Sequence, residues 1–397
     1  MVIGACGIME YKKRIIGLDL LRSIAIFLVM WQHSTAILNP FLQIPVFGKY
    51  FGKMLATTQS FGDLGVELFF VLSGFLIGTI LIKIYLKAKH FGFGELQNFW
   101  VRRWLRTIPN YFLVLTLAIF IWHIRLKVGI SWSMASYYFF IQNFFQPQHV
   151  FFPDAWSLAI EEWFYLTLPV CIFISSRIFR NYDKRKLLFK VFVAYLLIFL
   201  CIRFFNAFNP GHNMSERDIR ITTFLRLDAV MYGVLIGYYM YFKPQKLLKY
   251  KNTLLGLGIA GVVVTVLVLY IGSHPAFMLY EKNRYFRFFV NSSEFTLLPL
   301  FFSLCLPFAS SIGEFRSKLF NKTVVMGSKI SYSVYLINLS ILYVPFISKI
   351  PNESILSSVF IYILFWVAVP GLSYFLYTYF EHPIMSYRDK IFVEKTA

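Results

Sequence analysis

The amino-acid sequence predicts an all-α polytopic membrane protein with about ten transmembrane helices and both termini on the cytoplasmic side. Three observations point there. The 397 residues are 58% hydrophobic and only 15% charged, where soluble domains run near 25% charged. The apolar residues fall in runs long enough to cross a hydrocarbon core, which takes about 20 helical residues. Lysine and arginine gather in alternate connections between those runs, the asymmetry that marks cytoplasmic loops. A formal charge of +20 would suggest a nucleic-acid partner in a soluble protein. Distributed in short loop clusters it is a topology signal, and no nucleic acid is expected.

The spanning runs lie at residues 16–38, 64–84, 108–128, 155–175, 188–205, 222–242, 253–272, 294–310, 328–347 and 356–380. The aromatic stretch 132–147 is short and ends at Pro147, so an interfacial or re-entrant segment is expected. With the N-terminus inside, cytoplasmic connections hold roughly 26 Lys and Arg against about 11 outside. They run from Lys12, Lys13 and Arg14 to Arg388, Lys390 and Lys395. No linker, repeat or soluble stretch interrupts the pattern, so 1–397 reads as one membrane domain. The first run has no small-residue cleavage site after it and is read as a retained helix. Cys6, Cys171, Cys201 and Cys305 are scattered, without a CxxC or Cys/His cluster. Neither a disulfide framework nor a metal site is expected.

The first helix carries a polar seam of Asp19, Arg22 and His33. Arg22 and His33 are eleven residues apart, so they share a face at about 16 Å along the axis. Ionisable groups inside a spanning helix are costly and face an interior or a wet cavity. His33 is the candidate general base, since a neutral imidazole accepts a hydroxyl proton near neutral pH. A helix-packing histidine is the competing role. The assumed topology brings Asp63 and Glu67, Glu161 and Glu162, and Arg226 and Asp228 to a comparable depth, which suggests a shared cavity. Glu67 and Glu162 are candidates for orienting His33 or a substrate; Arg226, Asp228 and Trp156 are candidates for binding an acceptor. Glu162 paired with Arg226 is a structural alternative.

A second cluster, Phe99-Trp-Val-Arg102-Arg103-Trp-Leu-Arg106-Thr-Ile-Pro109, is expected at the cytoplasmic start of the third helix. Its guanidinium forks suit phosphate, and a helix N-terminus would add a favourable dipole. Topological anchoring is the plainer explanation. Ser73 and Gly74 are expected to let helices approach closely. There is no GxSxG elbow, HExxH or P-loop, which leaves hydrolase, zincin and NTPase readings unsupported.

GLDLLRSIAIFLVMWQH, GVELFFVLSGFLIG, FWVRRWLRTIPNY, QNF at Gln142–Phe144, WSLAIEEWFYLTLP, FLRLDAVMYG, ISYSVYL and YFEHP resemble, in order, the motifs of membrane acyltransferase family 3. That resemblance implies transfer of an acyl group, usually acetyl, from cytoplasmic acyl-CoA to hydroxyls of cell-surface glycans or their lipid-linked precursors. It implies residence among the lipids of the bacterial inner membrane. Arg22 and His33 match the family's R-x10-H pattern, with the histidine catalytic. Arg103 and Arg106 match its RxxR pattern on the CoA side, with Arg102 beside them. Acetyl-CoA is expected as a co-substrate, with no tightly bound cofactor. Two departures stand out. Asn338 occupies a place where many relatives have histidine, which disfavours a two-imidazole mechanism. Some relatives carry a C-terminal SGNH-type hydrolase domain; this sequence stops soon after the tenth run, so transfer is expected from the membrane domain or with a separate protein. A transporter or flippase using the same polar layer is the competing class.

Overall fold

A computed structural model describes residues 14–58, 60–147, 151–208, 214–273 and 279–394. Cys6, Lys12, Lys13 and Lys395 lie outside the described residues. Ten helices build the bundle: α1 (Ile16–Ser34), α2 (Phe61–Lys87), α3 (Phe93–Leu126), α4 (Ala155–Ile178), α5 (Lys184–Phe208), α6 (Met231–Phe242), α7 (Lys251–Ser273), α8 (Phe295–Ser310), α9 (Lys318–Ile337) and α10 (Ile355–Leu376). Among the described residues, nine helices, counted with their continuations, are long and apolar enough to cross a membrane. The exception is α6.

The run at 222–242 is not one helix. Its first half is a short 3-10 turn, Thr223–Leu225, and an irregular stretch that carries Arg226 and Asp228; only Met231–Phe242 is α-helical. Twelve residues rise about 18 Å, too little for a 30 Å core. Irregular backbone at that depth survives only where protein satisfies its polar groups. Here the partner is the other irregular segment, 132–147, which folds as two short turns, Trp132–Met134 and Ala135–Tyr138. Thr223 N donates to Asn143 O at 2.8 Å and Phe224 N to Phe144 O at 3.2 Å. Trp163 Nε1 donates to Phe140 O at 2.9 Å, and Gln142 Nε2 to Ala155 O at 3.3 Å. The QNF stretch is thus a backbone scaffold for the broken sixth segment.

Helix α2 is the axle. It packs against α1, α6 and α8; of the Ser73–Gly74 pair expected to permit close approach, Gly74 does so, while Ser73 donates to Glu161 and lines a cavity. A Cβ built on Gly74 would lie 1.9 Å from Val230 O, and one on Gly233 2.0 Å from Val71 O. Gly65 stands in the same relation to Ala25 O at 2.5 Å. Backbone here touches backbone, so no flexible side chain can give way.

Helix α3 begins at Phe93, fifteen residues before the expected start, with Glu95 closing its first turn onto Gly92 N at 2.8 Å. Arg102, Arg103 and Arg106 therefore sit inside the helix, and Pro109 is an interior proline. A helix dipole contributes only in the terminal turn, so the expected dipole assistance to phosphate binding does not apply.

Gly74→Ala is expected to destabilise the detergent-solubilised protein by about 1–3 kcal/mol, the usual range for overpacking, read as a lower thermal unfolding midpoint. Gly371, with open space around its would-be Cβ, is the control, where alanine should be neutral or better.

Candidate active site

His33 lies near the C-terminal end of α1, with its side chain 15% exposed. Its Nδ1 is hydrogen-bonded to Asn338 Oδ1. The orientation of that amide is fixed, because Asn338 Nδ2 donates to Val334 O at 2.8 Å and Tyr335 O at 2.9 Å. The oxygen must therefore face His33, and Nδ1 must carry the hydrogen. In the neutral ring this leaves the lone pair on Nε2. Nε2 faces Asp154, 3.9 Å from its Oδ1. Asn338 opens a π-helical turn, Asn338–Tyr343, that continues α9, a local widening found often at functional sites.

Asp154 immediately precedes α4 and is 5% exposed. Burial pushes its carboxyl up to about 6, against the lowering pull of His33. Its backbone is held from two sides. Tyr335 donates to Asp154 O at 3.0 Å and exchanges a 2.6 Å bond with Ser157. Two residues earlier, Phe152 adopts φ 45°, a conformation that costs a bulky residue roughly 1–2 kcal/mol. Its ring is 1% exposed and packs on Tyr111 at 5.9 Å, which keeps the turn in place.

His33, Asp154 and Trp156 line one cavity of about 1060 Å³. A second, of about 830 Å³, is lined by Arg22, Arg103 and Arg106 with Ser73, Glu161 and Tyr332. Val66 and Tyr335 belong to both walls, so the two cavities lie on either side of that pair. A third, of about 1050 Å³, shares Arg22 and Arg106 with the second and adds Arg14, Lys329 and Glu381. Along α1 and the residues just before it, the series runs from Arg14 through Arg22 to His33.

Within the second cavity Arg103 is braced. Its Nη2 donates to Tyr165 Oη at 3.0 Å and lies 3.4 Å from Glu161 Oε2, and the guanidinium stacks 4.2 Å from the Tyr165 ring. Glu161 also accepts from Ser73 at 2.8 Å. Arg22 donates to Ser328 at 3.1 Å and lies 3.7 Å from Asp19. Arg102 is exposed and lines none of these cavities; its carbonyl accepts from Arg388 at 3.5 Å.

The carboxylates are distributed otherwise than expected. Glu162 turns to α3 and accepts from Thr107 at 2.9 Å; it is Glu161 that faces the arginines. Glu67 is fully buried and pairs with Arg226 at 2.5 Å. Asp228 pairs with Arg203 at 2.5 Å, both with no exposed side-chain surface. Arg226 and Asp228 are therefore struts of the broken segment and are closed to an acceptor. The group beside His33 is Asp154, which the sequence reading missed. Its signal was an acid directly before the Trp156 motif, overshadowed by the Glu161–Glu162 pair seven residues on.

The fold and this site define a multi-pass membrane protein that sets a lone imidazole in one cavity and clustered guanidinium groups in the next. Residues 15–378 match the family described as "Acyltransferase domain", and the chain belongs to that family. It is 28% identical over 293 residues to O-acetyltransferase OatA of Staphylococcus aureus (strain NCTC 8325 / PS 47), covering 69% of this chain and 45% of that one. It is 30% identical over 147 residues to peptidoglycan O-acetyltransferase OatA of Listeria monocytogenes, covering 34% and 23%. A further Staphylococcus aureus relative (strain COL) aligns at 28% over 353 residues, 83% of this chain and 51% of the relative. The chain thus spans about half the length of the curated relatives it matches most extensively. No solved structure matches it significantly.

Asp154 carries its charge only above about pH 6, so support for a positively charged His33 is gained as pH rises through that value. Activity should climb through the same window. In Asp154→Asn the maximal rate should fall at least tenfold. Because a carboxyl with a raised pKa loses stability as pH rises through it, Asp154→Asn should also melt higher at pH 8 than the parent. A pH–rate profile and thermal melts measure both.

Proposed function

We propose that this protein is a membrane O-acyltransferase that moves an acyl group, most simply acetyl, from cytoplasmic acyl-CoA to a hydroxyl of a cell-surface glycan or its lipid-linked precursor in the bacterial inner membrane. One observation carries the reading. The nitrogen that His33 leaves free of Asn338 faces a cavity that shares the Val66 and Tyr335 wall with the arginine-lined cavity.

The chemistry takes few parts. With the Lys- and Arg-rich end of the bundle on the cytoplasmic side, the CoA phosphates sit among Arg14, Arg22 and Arg106, where planar forks recognise phosphate oxygens. Arg103, braced by Glu161 and Tyr165, forms the wall along which the pantetheine arm extends toward His33. The acceptor hydroxyl gives its proton to His33 Nε2 as its oxygen attacks the thioester carbonyl, forming the new C–O bond. Collapse of the tetrahedral adduct breaks the C–S bond, and the departing thiolate takes the proton back from the imidazolium. Asn338 holds the tautomer, and Asp154 stabilises the charged ring between the two transfers. The relatives' names, O-acetyltransferase in all three, support acetyl as the group, and the Listeria relative's name supports a cell-wall saccharide as the kind of acceptor.

A chain of cavities from end to end would also suit a transporter. Purified protein in nanodiscs separates the two, since only the transferase releases free CoA thiol from acetyl-CoA when an acceptor is supplied. His33→Ala should lower that rate by about 10²–10⁴, the usual worth of a general base, at unchanged protein level. Substantial residual rate in the variant would remove His33 from the chemistry. Arg106→Ala should raise the KM for acetyl-CoA about tenfold and leave kcat within a fewfold, the pattern of a lost ground-state contact.

A further inference from the structure

A fourth cavity, of about 1490 Å³, takes no part in the scheme above. Asp63, Glu216 and Arg220 line both it and the His33 cavity, so these three side chains form the partition between them. Arg220 is the latch. Its Nη2 lies 2.5 Å from Glu216 and 2.7 Å from Glu294, its Nη1 3.7 Å from Glu67, and its Nε 4.0 Å from Asp63.

Two features identify what the cavity takes. The first is a surplus of hydrogen-bond acceptors. Of the ionisable groups that line the cavity, the carboxyls of Asp63, Glu216 and Glu294 outnumber the cations Lys53 and Arg220. Glu294 is 3% exposed, lines the cavity, and its Oε2 has no hydrogen-bond partner among the described residues. A buried carboxyl oxygen without a hydrogen-bond partner is costly, and a hydroxyl-rich ligand supplies one. Among the described residues, no cluster suited to a metal ion is present. The second feature is the opposite wall, where Val266, Leu269 and Leu298 stand. Val266 and Leu269 belong to α7, which packs chiefly against α8 and whose apolar window is 17% buried, the smallest share of the nine spans. On its outer face Val263, Leu267 and Ile271 are exposed. One side of the cavity is therefore a single helix away from lipid, and the other borders the histidine.

We propose that this cavity receives the acceptor as an uncharged saccharide presented from the lipid side, with Glu294 accepting sugar hydroxyls and Arg220 acting as a positioning residue between the cavity and His33. The proposal rests on the acyl-transfer reading and gives it an acceptor route distinct from the donor route lined by arginines. The same saccharide chemistry has two sources, a sugar carried on a membrane lipid and the end of a glycan polymer.

The test uses the full chain in nanodiscs with radiolabelled acetyl-CoA and two acceptor preparations from bacterial membranes, the organic-extractable lipid-linked saccharides and the delipidated polymer. Label should enter the lipid-linked fraction. Glu294→Gln, which keeps the shape of the side chain, and Leu269→Trp, which fills the cavity, should each raise the half-saturating acceptor concentration at least tenfold. The KM for acetyl-CoA should stay within twofold of the parent. Labelling of the polymer alone overturns the lipid-side route, and a parental acceptor response in both variants overturns the cavity assignment; either result leaves acyl transfer standing. Acetyl-CoA turnover with neither fraction labelled removes the acceptor assignment. Absence of any turnover removes both readings.

Discussion

The ion pair between Glu67 and Arg226, 2.5 Å long with neither side chain exposed, is the constraint on which the rest of the structure depends. Isolated charges buried this way are costly, and removing one member of a buried pair leaves the other uncompensated. Here the pair joins α2 to the irregular stretch before α6, and Arg203 with Asp228 repeats the arrangement one turn away. These struts permit a spanning segment to stop being helical. Once it stops, backbone groups at 223–224 are free to pair with the QNF stretch, and both irregular segments wall the region around α4. Without the charged struts the same backbone would expose amides to hydrocarbon and would be forced back to helix.

The site uses its polar groups in a graded way. Arg203, Arg226, Glu67 and Asp228 are sealed and structural. Arg22, Arg103 and Arg106 are held by carboxylates, hydroxyls or helix geometry, and they keep surface toward a cavity. His33 has one nitrogen committed to Asn338 and one left for chemistry. Asn338 gives the Nδ1 hydrogen its acceptor, and an amide with both donors anchored on its own helix fixes the tautomer.

Three of the polar positions nearest the cavities share a backbone device. Glu294, Asn338 and Glu381 each lie in a short π-helical stretch, Val290–Glu294, Asn338–Tyr343 and Tyr377–Glu381. Widening a helix by one residue shifts the side chains that follow around the axis and loosens the hydrogen-bond ladder. In each case the widened turn lets one polar side chain reach inward from a helix whose remaining faces serve packing or lipid. Glu381 accepts from Ser333 at 2.7 Å and Asn110 at 3.2 Å, joining the end of α10 to α9 and α3.

The sequence by itself determined the class of fold, most spanning segments, the shared face of Arg22 and His33, and the close approach at Gly74. Each follows from local physics: hydrocarbon thickness sets segment length, helical period sets the face, and a missing Cβ sets how near two backbones can come. Only the tertiary structure decided which charges are struts and which line cavities. Glu161 and Glu162 are adjacent in sequence, yet one meets Arg103 and the other Thr107, because neighbours on a helix point about 100° apart. The same holds for Asp154, which gains its place beside His33 from the turn at Phe152 and the grip of Tyr335. The broken sixth segment was hidden for a related reason. Hydropathy registers that a run is apolar, whereas its conformation depends on partners eighty residues away, at Asn143 and Phe144, that satisfy the backbone when the helix ends.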